Sequence, residues 1–261
     1  AFWWAPNSEM IAFLRFDDSP VPQFPLYKAD GVHGELEWEH YPKPGDPNPI
    51  VKMGIAHISA NKVVWIDEDE NADQYTAWPF WSPDSKEMFY QVLNRDQNDL
   101  QILSTNPETG KNKTMYEEKN NTWVEFFEDI HILKNNKGFI LRSELDGWRH
   151  LYYYDMNGKL KKQLTKGEWN VSDIKLVDEE NERLYFEANK GERLETHLFV
   201  VDFNGDDIEQ LTNIPGTHKV NVSPNGKYFY DSYSSISTPG KLELYNGDGN
   251  LIKNLGDRKS K

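Results

Sequence analysis

The amino-acid sequence predicts an all-β chain: a β-propeller segment of about five four-stranded antiparallel blades, with a Pro-rich arm inserted in the first. Three observations carry this reading. A short turn-forming tag recurs ahead of apolar strands, each tag hairpin is followed by a second hairpin with its own Gly-containing turn, and no stretch shows helical periodicity. Helices are expected to be scarce.

The tag first appears as Trp3-Trp4-Ala5-Pro6-Asn7-Ser8 before the strand Met10 to Phe16. It returns as Trp81-Ser82-Pro83-Asp84-Ser85 before Glu87 to Leu93, and as Val222-Ser223-Pro224-Asn225-Gly226 before Lys227 to Tyr233. Two degenerate copies lie between, Lys134 to Gly138 before Phe139 to Ser143, and Asp178 to Asn181 before Arg183 to Asn189. From Pro83 onward the interval is about forty to fifty residues, the period of propeller blades.

The second hairpins are clearest in Gly147 to Val171. Aromatic and apolar residues crowd Arg149 to Asp155, Asn157-Gly158 offers the positive φ angles of a tight turn, and Leu160 and Leu164 then alternate with lysines and Gln163. This reads as the outer hairpin of a third blade with one wet face. Counterparts turn at Glu108-Thr109-Gly110, Asn204-Gly205-Asp206 and Asn246-Gly247-Asp248-Gly249. The blades are placed at approximately 1–72, 75–117, 120–166, 168–213 and 216–256.

The first repeat is too long for one blade, and the excess is Asp17 to Pro49, which holds seven of the 14 prolines. Proline removes ladder donors and fixes φ, so residues 17–49 are expected to form an extended arm with edge-strand character. Leu26, Tyr27, Leu36, Trp38 and Tyr41 give it apolar surface. Such an arm either packs on its own propeller or docks on a partner.

Composition narrows function. Nine Trp, 13 Tyr and 13 Phe in a polar chain suit thin sheets sandwiched between neighbours. A formal net charge of −14 argues against nucleic acid, and Lys159, Lys161 and Lys162 read as a solvated strand face. There is no Cys, no apolar run of membrane-spanning length and no signal-like start.

Motifs for chemistry are sparse. No Gly-x-Ser-x-Gly elbow, Walker loop, Gly-x-Gly-x-x-Gly or His-Glu-x-x-His occurs, and the seven histidines never fall at metal-ligand spacing, so neither metal nor cofactor is expected. Asp67 to Asn71 has the flavour of a calcium loop but has Ala72 where the turn needs Gly, and reads as a solvated acidic loop. Glu117-Glu118 reads as surface. Glu128-Asp129 follows the aromatic inter-blade connection Trp123 to Phe127, where propeller loops face pockets. The candidate binding residues are therefore Trp123, Phe126, Phe127, Glu128 and Asp129.

Several strings together resemble the propeller region of the dipeptidyl peptidase IV family of serine peptidases. Trp3-Trp4-Ala5-Pro6-Asn7 is similar to its Trp-Trp-Ser-Pro-Asn-Gly strand pair. Tyr41-Pro42-Lys43, Gly45 and Asn48-Pro49-x-Val51 are similar to its most specific signature. Gly147-x-x-His150-Leu151-Tyr152, Leu164-Thr165-Lys166-Gly167-x-Trp169-x-Val171, and Asp231 with Ser234-Ser235 and Pro239 match later blades.

The resemblance implies a parent exopeptidase in which a propeller caps a C-terminal α/β-hydrolase domain and dipeptides with Pro or Ala second are released from peptide N-termini. The triad of Ser, Asp and His would follow Lys261, and the Glu pair that holds the substrate amine would precede Ala1; Tyr116-Glu117-Glu118 copies that motif in letters only. The resemblance also implies a dimerisation role for residues 17–49, a place near the substrate's N-terminal side chain for Trp123 to Asp129, and an extracytoplasmic location. In several members that segment carries an Arg near the Glu128 position, which this chain lacks. This chain alone is expected to be inactive. The alternative is a free-standing propeller that binds a protein or polysaccharide.

Overall fold

Three of the tags fold into one turn. The residue before the tag's proline donates its N–H five residues onward, Ala5 to the Met10 carbonyl at 2.9 Å, Ser82 to Glu87 at 2.9 Å and Ser223 to Tyr228 at 2.8 Å. Its own carbonyl accepts from Ser8, Ser85 and Gly226 respectively, which sit at φ 61°, 61° and 65°. A tight reversal needs a left-handed residue there, and the tag supplies a small or Gly residue for it.

The computed structural model describes residues 1–257. Strands are labelled in chain order. β1 (Phe2–Trp4), β2 (Met10–Asp17), β3 (Gln23–Lys28), β4 (Glu35–His40), β5 (Ile50–His57) and β6 (Lys62–Trp65) belong to the first repeat. β7 (Gln74–Trp81), β8 (Met88–Asn94), β9 (Asp99–Thr105) and β10 (Asn112–Lys119) form the second. β11 (Ile130–Ile132), β12 (Phe139–Ser143), β13 (His150–Tyr154) and β14 (Leu160–Gln163) form the third. β15 (Val171–Asp178), β16 (Arg183–Ala188), β17 (His197–Asp202) and β18 (Ile208–Gln210) form the fourth, and β19 (Thr217–Val222), β20 (Tyr228–Ser234), β21 (Lys241–Asn246) and β22 (Leu251–Asp257) the fifth.

The fold is an all-β propeller segment: among the described residues it has five four-stranded antiparallel sheets, each a meander, plus one two-stranded sheet. Among the described residues the helical content is a single 3-10 turn, Lys134–Asn136. In the first sheet β2 pairs with β5, so the intervening β3 and β4 are looped out and pair with each other. The Pro-rich stretch thus carries a two-stranded hairpin of its own, and with only two strands each one is an edge. Backbone pairing survives because Pro25 is the one proline within its strands.

The chain divides into two compact units, Ala1–Phe126 and Phe127–Lys261. In the first, Ala12, Met53 and Ile55 of one sheet pack against Met88 and Tyr90 of the next. Phe13 and Trp65 meet edge to face at 5.5 Å over Gly54. A Cβ on Gly54 would stand 2.7 Å from Phe13 Cζ, so the aromatic pair and the glycine require each other. In the second unit, one core joins Ile140 and Leu151 to Leu184, Phe186, Phe199 and Val201, and another joins Tyr185, Leu198 and Leu211 to Val220, Phe229 and Tyr245.

The β13–β14 hairpin departs from its reading in two respects. Gly158 has φ +75° but Asn157 keeps a negative φ, so the loop is an Asx-capped turn in which Asp155 Oδ1 accepts from the Asn157 and Lys159 amides. The pairing then slips: Tyr154 faces Leu160 while Tyr153 faces Lys162. That bulge at Lys161 separates the two leucines, leaving Leu160 48% exposed and Leu164 buried.

Candidate functional site

The aromatic connection after β10 begins in the first unit. Asn120 donates to the Asn98 carbonyl at 3.0 Å and Val124 to the Gln97 carbonyl at 2.8 Å, which ties the connection to the β8–β9 turn. That turn is itself braced by Asn94, whose Oδ1 accepts from the Asn98 and Asp99 amides, with Gln97 at φ 55°. Val124 is buried, Phe126 half-buried, and Trp123 is 53% exposed. The Phe126 ring lies 5.3 Å from that of Trp78.

Phe127, Glu128 and Asp129 belong to the second unit. Phe127 is buried and Glu128 exposed. Asp129 Oδ2 lies 2.8 Å from Arg142 Nη2 on β12. Arg142 Nη1 donates to the Ser172 carbonyl and, at 3.4 Å, to that of Val171. The guanidinium thereby pins Asp129 and the start of β15 together. Lys175 continues the charged row, 2.7 Å from Asp173 and 3.4 Å from Glu187, and Glu187 accepts from the Val220 amide at 2.6 Å. Burial raises the Asp129 pKa against the lowering effect of Arg142, and burial likewise raises that of Glu187.

So the predicted residues separate by role. Trp123 and Glu128 present themselves to solvent, Phe126 supports a second aromatic, Phe127 is core, and Asp129 is held by Arg142. Glu128 and Asp129, in the connection ahead of β11, diverge in exposure, and so do Glu117 and Glu118 on β10, where strand geometry turns neighbours to opposite faces. The surface reading of Glu117-Glu118 holds for Glu117, which pairs with Lys119 at 3.0 Å, and fails for Glu118, which is buried and accepts from Tyr116 Oη at 2.8 Å. The acidic loop is likewise only partly solvated: Glu68 accepts from Thr76 Oγ1 at 2.7 Å, and burial raises its pKa.

Three histidines of the second unit, His150, His197 and His218, are internal. His150 Nδ1 lies 3.0 Å from Thr165 Oγ1 and its Nε2 2.9 Å from the Gly167 carbonyl. His197 repeats the arrangement, 3.2 Å from Thr212 Oγ1 and 2.9 Å from Glu195. Each threonine hydroxyl also accepts a backbone N–H at 2.9 Å, from Leu151 and Leu198. These histidines brace hairpins, and none of their hydrogen bonds goes to a serine.

On the β3–β4 hairpin, Pro25 faces Trp38 and Tyr27 faces Leu36, so these four share a side on which Tyr27, Leu36 and Trp38 are all exposed. Leu26 is exposed on the other side, opposite Glu37. Tyr41 lies past β4, its ring 6.1 Å from Phe24.

Sequence reasoning missed Trp78, Arg142 and Arg95. Arg95 donates to the Asp46 carbonyl at 3.0 Å and lies 3.3 Å from Asp73, linking the inserted segment to the β8–β9 turn. An arginine beside a turn gives no local sign of a partner so distant in sequence.

The family model of the dipeptidyl peptidase IV (DPP IV) N-terminal region matches residues 1–240. Dipeptidyl peptidase 4 of Trichophyton rubrum is 28% identical over 263 residues, covering 94% of this chain and 33% of its own length. A Bacteroides ovatus protein assigned as a dipeptidyl aminopeptidase IV superposes with a TM-score of 0.89 at 29% identity, over 98% of this chain and 39% of that one. Porphyromonas gingivalis dipeptidyl peptidase 4 shares the fold at a TM-score of 0.88 and 24% identity, over 98% of this chain and 37% of that one. The chain spans about a third of the length of the curated relatives it matches.

Proposed function

The chain belongs to the dipeptidyl peptidase IV N-terminal region family, and from that premise we propose that it is the substrate-gating and positioning part of a longer serine exopeptidase. The parent releases N-terminal dipeptides with Pro or Ala in the second position, and its catalytic Ser, His and Asp come from an α/β-hydrolase domain elsewhere in the parent chain. The observation that carries the reading is the family match, which runs through the first four sheets and into the fifth. Relatives about three times as long, and internal histidines engaged with threonine, carboxylate and carbonyl rather than serine, support it.

In this reading Trp123 and Phe126 meet the N-terminal part of the peptide, and within the second unit Arg142 holds Asp129. The exposed side of the β3–β4 hairpin, with Tyr27, Leu36 and Trp38, joins two copies of the parent, and the parent works outside the cytoplasm. Among the described residues no helix is long and apolar enough to cross a membrane. The test is hydrolysis of Gly-Pro and Ala-Pro chromogenic amides by the full-length parent and by residues 1–261. Turnover by the parent alone is expected; a parent inactive on both amides overturns the reading.

A further inference from the structure

Strand β7 is an edge strand of its sheet, and it carries one residue too many. Ala77 pairs with Gln91 and Phe80 with Phe89, so Trp78 and Pro79 together face Tyr90 alone. This is a β-bulge, and bulges re-aim side chains. Trp78 takes φ +47°, a left-handed conformation that a bulky L-residue adopts only when the surroundings enforce it.

The strain is not spent on packing. Trp78 is 45% exposed, whereas every other residue of β7 is buried or half-buried. Its ring meets Phe126 at 5.3 Å and an interplanar angle of 49°. The two rings are held from separate backbones, Trp78 by the bulge and Phe126 by the connection that Val124 and Asn120 tie to the β8–β9 turn. Such a pair is a preformed aromatic wall, rigid before any ligand arrives.

We infer that Trp78 is a specificity-determining residue whose ring, with Phe126, takes the apolar side chain of the first residue of the peptide. The inference rests on the substrate-positioning reading above and adds a residue from a different strand to the segment named there. Its occupant is an aliphatic or aromatic side chain, because the wall offers ring faces and no charge of its own.

The experiment uses the full-length parent with W78A, W78G and W78F, assayed on Phe-Pro and Gly-Pro chromogenic amides. In W78A and W78G, kcat/KM for Phe-Pro falls about tenfold through KM, with Gly-Pro unchanged within about twofold, and W78F keeps Phe-Pro within about threefold. W78G suits the positive φ, so its unfolding midpoint does not drop and loss of fold is excluded as a cause. An equal fall on both amides, or no change on either, overturns the assignment of Trp78 alone. A wild-type parent inactive on both amides overturns the substrate-positioning reading and this assignment with it.

Discussion

His218 Nδ1 lies 2.6 Å from Asp231 Oδ2 between neighbouring strands of the fifth sheet, with the two side chains 1% and 0% exposed. The other ring nitrogen faces the Ile214 carbonyl at 2.7 Å. Both partners are acceptors, so the ring satisfies both only as the imidazolium. Burial alone would lower the His218 pKa. The hydrogen bond and charge of Asp231, helped by the Ile214 carbonyl and Glu195, outweigh burial and raise it above 6.5.

A raised folded-state pKa stabilises most fully below the unfolded value, and that contribution is lost as pH rises through the folded value. Urea unfolding is therefore expected to show stability from this pair intact below pH 6.5 and declining above it. In D231N burial dominates, the histidine becomes neutral in the folded state, and this part of the pH dependence changes sign. Removing one partner of a buried pair costs roughly 3–5 kcal/mol. A D231N protein with wild-type stability and slope would refute the pairing.

The paired threonines give a second test. Thr165 and Thr212 each serve one histidine and one backbone amide, so T165V and T212V should each cost about 1–3 kcal/mol in equilibrium unfolding. Serine at either position should restore most of the loss, because the hydroxyl is what both partners use. Valine variants as stable as wild type would contradict the bracing role.

Gly54 offers a packing test. In G54A the new methyl would stand 2.7 Å from Phe13 Cζ and 3.1 Å from Trp65, forcing the edge-to-face pair apart. Overpacking of this kind costs about 1–3 kcal/mol. A midpoint of thermal unfolding unchanged in G54A would show that the rings yield freely.

The hairpin is tested by assembly. Replacing Tyr27, Leu36 and Trp38 together with serine is expected to convert a parent dimer to monomer in sedimentation, while L26S, on the opposite side, leaves it dimeric. A parent that is monomeric at micromolar concentration removes the basis for this role.

The recurrence of sheets was legible because tag turns have a local cause: a left-handed residue at a set offset, read directly as Ser8, Ser85 or Gly226. Register was not. The slip at Lys161 that parts Leu160 from Leu164, and the extra residue at Trp78, arise from pairing with a neighbouring strand and leave an unbroken apolar pattern along the chain. The pairing of β3 with β4 was hidden for a related reason, since prolines clustered around both strands suggested an extended arm and gave no sign of which strand each would pair with. In the site, the aromatic run Trp123 to Phe127 could be read, but which ring faces water depended on anchors at Gln97 and Asn98. Glu118 and Asp129 were drawn inward by Tyr116 and Arg142, partners that charge alone does not announce.

The most direct test of the central claim is the rate of Gly-Pro chromogenic amide hydrolysis by residues 1–261 beside that of the full-length parent, under one set of conditions with a serine-directed inhibitor control. Turnover confined to the parent is the predicted result. Inhibitor-sensitive turnover by residues 1–261 alone, or none by the parent, would contradict a chain that positions substrate for a catalytic domain elsewhere.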